Sequence, residues 1–124
     1  MSLSKGHTLW YIPDGYIPPV STGTLISHES ICVLNANAEA ANLSITIFFE
    51  DRDPLEDVAV RVEGRRTAHV RTSTLERDGQ SIPVGVPYAM EVRSDVPIIV
   101  QYSRMDATQP ANTLATTMGF PVVG

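Results

Sequence analysis

The chain has 124 residues, 43% of them apolar, and a formal net charge of −5 at pH 7. This length predicts a single domain over residues 1–124 with a core of its own. The apolar runs are shorter than the roughly 20 residues that a membrane helix needs, so we expect no membrane insertion. The acidic balance argues against general nucleic-acid binding, because such proteins present a basic field to the phosphates.

Cysteine content and the first residues bear on the cellular compartment. Cys32 is the single cysteine, which excludes an internal disulfide. Residues 1–6 carry no apolar segment of the kind found in secretory signals. Together these features predict a cytoplasmic protein. No phosphate loop, dinucleotide motif, zinc motif or nucleophile elbow is found, so we expect no enzyme and no cofactor.

Strand-like patterns dominate the first half of the chain. We predict a strand within residues 6–12, ended by Pro13-Asp14-Gly15, and then an ordered loop over 16–24. A second strand covers 25–35, and its apolar run predicts burial on both sides near Val33. The clearest strand covers 42–50, where large apolar side chains alternate with smaller or polar ones.

Charged strands follow in the middle of the chain. Residues 58–63 predict a half-buried strand with a charged outer face. Gly64 separates it from an arginine-rich strand over 65–71, which we call the arginine strand, and the short separation predicts a tight hairpin. Residues 72–87 contain two Gly and two Pro and predict a polar loop.

The last third continues the pattern. We predict strands over 88–93 and 98–103, joined by a turn at Ser94-Asp95-Val96-Pro97. Residues 109–118 predict a helical turn that Pro110 could open. The regular spacing of short strands and turns predicts an all-β fold, a small β-sandwich of antiparallel strands.

The arginine strand is the densest basic segment of this acidic chain. Four of the nine Lys and Arg residues lie between Arg61 and Arg71. Strand periodicity places Thr67, His69 and Arg71 on one face. Arginine forks suit anionic groups and hydroxyls, so Arg66 or Arg71 is predicted to bind a small polar or anionic ligand. Exposed cross-strand ion pairs are the alternative.

Other polar residues extend this candidate site. Gln101 interrupts an apolar strand, which is typical of a polar pocket or a subunit contact. Arg104 follows on the same strand. Trp10 is predicted to form the core, an interface or an apolar wall for a ligand.

His28, Glu29 and His69 allow a metal-dependent enzyme as a further alternative. His28 and Glu29 are neighbours in a strand and point to opposite faces, so joint chelation would need a bulge. The opposing interpretation is a histidine hydrogen-bonded within its strand.

An ordered series of short segments spans the chain from Ser2 to about Thr117. The segments are Ser2-Leu3-Ser4 with Gly6, Gly15-Tyr16-Ile17-Pro18-Pro19, Ile26-Ser27-His28-Glu29, Cys32-Val33-Leu34-Asn35, Ile45-Thr46-Ile47, Arg65-Arg66-Thr67-Ala68-His69-Val70-Arg71, Val96-Pro97-Ile98-Ile99-Val100-Gln101, and Arg104-Met105-Asp106 with Gln109. Each segment alone is weakly specific, but the ordered set closely resembles the Anabaena sensory rhodopsin transducer family.

The resemblance implies a soluble β-sandwich that assembles as a homotetramer. Its founding member is the cytoplasmic partner of a membrane sensory receptor, a microbial rhodopsin, whereas most relatives lack such a photoreceptor. For the family it implies binding of sugars or related metabolites, and for the transducer an interaction with DNA. The resemblance implies that the polar and aromatic positions shared within the family correspond to Trp10, His28, Glu29, Arg66, His69, Arg71, Gln101 and Arg104, and that these residues bind the ligand.

Two departures from the transducer matter. Ala68 replaces a basic residue, and the tail over 111–124 diverges. Both weaken the rhodopsin and DNA roles more than ligand binding. The leading hypothesis is therefore a non-enzymatic protein that binds a small molecule, and the alternative is a signal-transducing protein that docks a membrane photoreceptor or another partner.

Overall fold

The computed structural model describes residues 3–23, 25–109 and 111–124, and this part of the chain contains ten β-strands. In chain order the strands are β1 (His7–Tyr16), β2 (His28–Asn35), β3 (Ala41–Phe49), β4 (Leu55–Val62), β5 (Arg66–Arg71), β6 (Glu76–Arg77), β7 (Gln80–Ser81), β8 (Pro87–Asp106), β9 (Thr113–Met118) and β10 (Phe120–Pro121). The predicted loop end at Thr24 and helix start at Pro110 lie outside the described residues. None of the described residues belongs to a helix of the length and apolarity that crossing a membrane requires.

The strands form two antiparallel sheet halves that share the long strand β8. Its first half pairs with β1 and β3, and the order there is β10-β1-β8-β3-β4. Its second half pairs with β2 and β9, and the order there is β5-β2-β8-β9. The predicted all-β, antiparallel fold in a single domain is confirmed.

One core joins the two halves. Alternate residues of each central strand point into it, as the two-residue period of a strand requires. The largest fully buried apolar side chains come from β2, β3, β4 and β8: Ile31, Val33, Ile45, Ile47, Val58, Met90, Val92, Ile98 and Val100. The predicted burial of β2 on both sides is wrong, because Leu34 is 43% exposed and no described layer covers that face.

Strand β8 continues through the predicted turn at residues 94–97. A proline cannot donate a hydrogen bond to a ladder, so it rarely lies within a central strand. In the fold, the ladder partners of β8 change at this point, and Asp95, Val96 and Pro97 have no ladder partner. Pro97 is accommodated there because no backbone donor is required of it.

The predicted helical turn in the tail is wrong. Residues Thr113–Met118 form β9, which pairs with residues 101–106 of β8. Three of its six residues are threonine, whose branched side chain suits strands. The free edge of β8 supplies the backbone partners that an isolated turn would lack.

The predicted hairpin at Gly64 is also wrong. Strand β4 pairs with β3, whereas β5 pairs with β2 in the other sheet half, so the chain crosses between halves at Gly64. The backbone N–H of Arg65 donates to the carbonyl of Asn37 at 2.9 Å. A side chain at Gly64 would overlap the carbonyl oxygen of Ala38. Close packing against the β2–β3 turn therefore holds this crossover.

The other strand boundaries differ from the predicted ones because of local irregularities in the backbone. Strand β1 runs through the predicted turn at residues 13–15, because a bulge lies between Ile12 and Gly15. The predicted polar loop over 72–87 contains a short 3₁₀ turn (Thr72–Thr74) and the β6–β7 hairpin. Asp78 and Gly79 both have positive φ in that hairpin, the conformation that Asp-Gly turns favour.

Candidate functional site

Glu29 is a carboxylate inside the core. It lies on β2 and shares the inward face with Ile31 and Val33, and the residue is 1% exposed. Both carboxylate oxygens accept from the backbone N–H of Tyr16, at 2.9 and 3.0 Å. Buried charges are stable only when they are paired and hydrogen-bonded, so the surrounding donors decide whether Glu29 can stay in this position.

Three side chains complete the shell around this carboxylate. The hydroxyl groups of Tyr88 and Tyr102 each donate to Glu29, and Nε of Arg104 donates to it at 2.5 Å. The Tyr88 hydroxyl also lies 3.0 Å from Oγ1 of Thr72. We call Glu29, Thr72, Tyr88, Tyr102 and Arg104 the Glu29 cluster.

The cluster holds defined protonation states. Burial, followed by the charge of Glu29, raises the pKa of Tyr88. Burial and the hydrogen bond to Glu29 raise the pKa of Tyr102. Burial acts to lower the pKa of Arg104 and is the largest single effect, but the hydrogen bond and charge of Glu29, with a smaller contribution from Tyr102, raise it overall. The two tyrosines therefore remain donors at neutral pH, and Arg104 remains charged.

Arg104 extends from the cluster toward the surface. Its side chain is 30% exposed, and its guanidinium lies 5.9 Å from the centre of the Tyr102 ring. Nη2 is shielded from solvent and has no hydrogen-bond partner among the described residues. A second acidic group, Oδ1 of Asp14, lies 3.9 Å from Nη2, on a side chain that is 86% exposed. Arg104 is thus fixed through Nε, while donor capacity on its outer nitrogens is unused.

A cleft of about 340 Å³ opens beside Arg104, between β1 and β10 on one side and β9 on the other. Strand pairing explains its floor and wall, because Tyr102 and Arg104 lie opposite Thr117 and Ala115 of β9. The residues that line the cleft are Ile12, Pro13, Asp14, Tyr102, Arg104, Ala115, Thr116, Thr117, Met118 and Phe120. This lining combines apolar side chains with the polar groups of Asp14, Tyr102, Arg104, Thr116 and Thr117, and such a mixture suits a small-molecule site.

The arginine strand lies elsewhere. Arg66, His69 and Arg71 are exposed on β5, and none of them lines the cleft. His69 pairs with Cys32 of β2, and Cys32 pairs with Gln101 of β8 on its other side. The structure therefore places His69 and Gln101 in one row on the outer face of the second sheet half.

His28 and Trp10 occupy two further environments. The Nδ1 atom of His28 lies 2.8 Å from the carbonyl oxygen of Ile26, so this histidine is hydrogen-bonded beside its strand. Trp10 is 4% exposed, and its indole N–H points to the carbonyls of His7 and Ile98 at 3.0 Å each. Trp10 fills the core, and its predicted contact with a ligand would require the core to open.

Glu29 and Arg104 are the two predicted site residues that the fold joins directly. Tyr88, Tyr102 and Thr72 were not predicted. Tyr88 and Tyr102 share their inward faces with Met90 and Val100, so a hydroxyl on an apolar stripe was the signal for a buried acceptor. Within the described residues, no group of three or more His, Cys, Asp or Glu is arranged to hold a metal ion.

These features define an all-β protein in which a buried glutamate pairs with a partly exposed arginine beside an open cleft. The model of the Anabaena sensory rhodopsin transducer family matches residues 5–121. The chain therefore belongs to the Anabaena sensory rhodopsin transducer family, as its sequence motifs predicted.

Two solved structures show the same architecture. The crystal structure of Thermotoga maritima 1070 is 38% identical, with a TM-score of 0.85, and the match covers 94% of this chain and 96% of that one. The structure of the Anabaena sensory rhodopsin transducer is 43% identical, with a TM-score of 0.75, over 87% of this chain and 96% of that one. The comparison with curated proteins gives no match.

Proposed function

We propose that this protein is a non-enzymatic binding protein that holds a small polar molecule, a sugar or a related metabolite, in the cleft beside Arg104. The observation that carries the proposal is the state of the Arg104 guanidinium. Buried Glu29 fixes it through Nε, and Nη2 has no hydrogen-bond partner among the described residues. The Arg104 side chain is 30% exposed and lines the cleft, so a ligand there can contact the accessible part of this side chain.

The Glu29 cluster supports binding rather than catalysis. Glu29 already accepts from Tyr16, Tyr88, Tyr102 and Arg104, so its oxygens have little capacity left for a substrate proton. Its role in the proposal is to hold Arg104 in place before a ligand arrives. Preorganisation of this kind lowers the entropic cost of binding.

Blocking the cleft should abolish ligand binding. A ligand at a hundredfold excess over its Kd stabilises its protein by about 2.7 kcal/mol, which raises the melting temperature by roughly 10 °C in a domain of this size. A panel of sugars and polyols can be screened for such a shift by scanning fluorimetry. We expect hits to be lost in Ala115→Phe, which fills the cleft, and in Arg104→Lys, which keeps the charge beside Glu29 but removes the planar fork.

The matched control is Ala59→Phe on the exposed face of β4, away from the cleft lining. This variant should still bind every compound that stabilises the wild type. If compounds still stabilise Ala115→Phe, the binding site lies outside the cleft, and the arginine strand is the next candidate.

The outer face of the second sheet half supports a second proposal, an interaction surface. Leu34 pairs with Ile99 there, and both are exposed, as are Met118 and the nearby arginine strand. Apolar groups beside exposed charge favour a protein contact. The exposed edges of β5 and β9 offer further backbone partners. We propose that this face joins protomers of a homotetramer in the cytoplasm or contacts a membrane receptor, the partner that the family name suggests.

Leu34→Asp should disrupt assembly through this face, because it buries a charge in an apolar contact. Size-exclusion chromatography with light scattering measures the result. We expect the wild type to run as a tetramer and the variant as a smaller species. Ile26→Asp, on an exposed loop residue, should leave the mass unchanged. A monomeric wild type would contradict the tetramer and leave the receptor contact as the use of this face.

A further inference from the structure

The charge balance at the cleft limits what it can bind. Arg104 and Asp14 are the charged residues among the described lining, and Glu29 lies directly behind Arg104. One positive and two negative side chains leave a formal local charge of −1. The positive charge of Arg104 is already offset by a carboxylate at 2.5 Å.

These charges would weaken the binding of an anionic ligand. An acceptor bound at the outer nitrogens of Arg104 would lie close to Asp14, whose carboxylate is 3.9 Å from Nη2. Two like charges about 4 Å apart repel each other even in a high-dielectric environment. Hydrogen bonds from Arg104 would have to outweigh this repulsion, although the charge of Glu29 already neutralises the positive charge of Arg104.

A hydroxyl group matches the same pair without a penalty. It can accept a hydrogen bond from the guanidinium and donate one to the carboxylate of Asp14. Two adjacent hydroxyl groups could divide these roles. The apolar residues of the lining, such as Ile12, Ala115 and Phe120, would then contact the C–H surface of the ligand.

We infer that the cleft selects uncharged, hydroxyl-bearing ligands over anionic ones and that Asp14 is the residue that sets this selectivity. The inference rests on the proposed binding function and extends it to the charge of the ligand. Asp14 suits this role because its side chain is exposed, so its charge can change without disturbing the core.

Matched probe pairs test the selectivity. Glucose with glucuronate, and galactose with galacturonate, differ mainly by one carboxylate. Isothermal titration gives the ratio of the two Kd values within each pair, and the Nε–H signal of Arg104 in nitrogen-15 spectra reports contact at the site. We expect the neutral member to bind more tightly to the wild type. In Asp14→Asn, we expect the ratio of the anionic to the neutral Kd to fall by about fivefold.

Asp53→Asn is the matched control, because it removes the same charge from an exposed residue outside the lining of this cleft. It should leave the ratio unchanged, which separates a local effect from one of net charge. Tighter binding of the anionic member to the wild type, or equal ratios in wild type and Asp14→Asn, would overturn the selectivity while leaving the binding function intact. Absence of binding and of any Arg104 signal change, in both proteins and with all four probes, would overturn both.

Discussion

Glu29→Gln should lower the free energy of unfolding by about 3 kcal/mol, near the lower end of the cost of breaking a buried ion pair, because Arg104 is 30% exposed. The amide keeps the size of the side chain but removes the negative charge opposite Arg104. It also turns N–H donors toward groups that now donate to the carboxylate, namely the hydroxyls of Tyr88 and Tyr102. Urea unfolding followed by the fluorescence of the single, buried Trp10 measures the change.

Glu56→Gln provides the control for the loss of one carboxylate. Glu56 lies on β4 and is exposed, so its replacement should change stability by no more than about 0.5 kcal/mol. A Glu29→Gln variant as stable as Glu56→Gln would show that the Glu29 cluster contributes little to folding. The proposed positioning of Arg104 by Glu29 would then lose its basis.

Ile45→Ala should destabilise the fold by about 2–5 kcal/mol, through lost apolar contact and the cavity that remains. Ile45 is fully buried, and its neighbours across the ladders are Val58 of β4 and Val92 of β8. It therefore packs at the centre of the core that joins the sheet halves. The same urea titration measures the shift of the unfolding midpoint.

Ile26→Ala removes the same atoms from a residue that is 66% exposed. It should leave stability within about 0.5 kcal/mol of the wild type. Comparable losses at Ile26 and Ile45 would mean that the effect comes from strand or loop propensity rather than from burial in the core.

Both large effects arise from inward-facing positions of central strands, but they differ in what the sequence reveals. The alternation around Ile45 indicated its burial directly, because a two-residue apolar period is a local property of one strand. Glu29 occupies an equivalent inward position with a charged side chain. Its stability there depends on side-chain donors that lie 59 to 75 residues away along the chain.

Three of the sequence predictions that proved wrong have a common cause. The hairpin at Gly64, the turn at Pro97 and the helical turn in the tail were inferred from local turn residues and spacing. In the fold, β4 and β5 join different sheet halves, β8 passes from one half to the other, and β9 completes an edge of β8. Tertiary pairing overrode local preference at each of these points.

The candidate site was likewise predicted only in part from the sequence. The family motifs led to Glu29 and Arg104 among eight predicted residues, and the sequence also indicated the basic character of the arginine strand. It did not reveal that Arg104 lies beside a cleft, that Asp14 lies 3.9 Å from its Nη2, or that Trp10 is enclosed by the core. These relations join β1 to β8 and β9, and local periodicity carries no information about which distant strands meet.

The sequence by itself therefore determined the all-β class, the family and the alternation that builds the core, because these depend on residue order within short segments. Only the tertiary structure decided which polar residues form the Glu29 cluster and which remain on the outer face. A buried carboxylate requires several donors converging on one point, and that convergence exists only when strands distant in sequence are packed together.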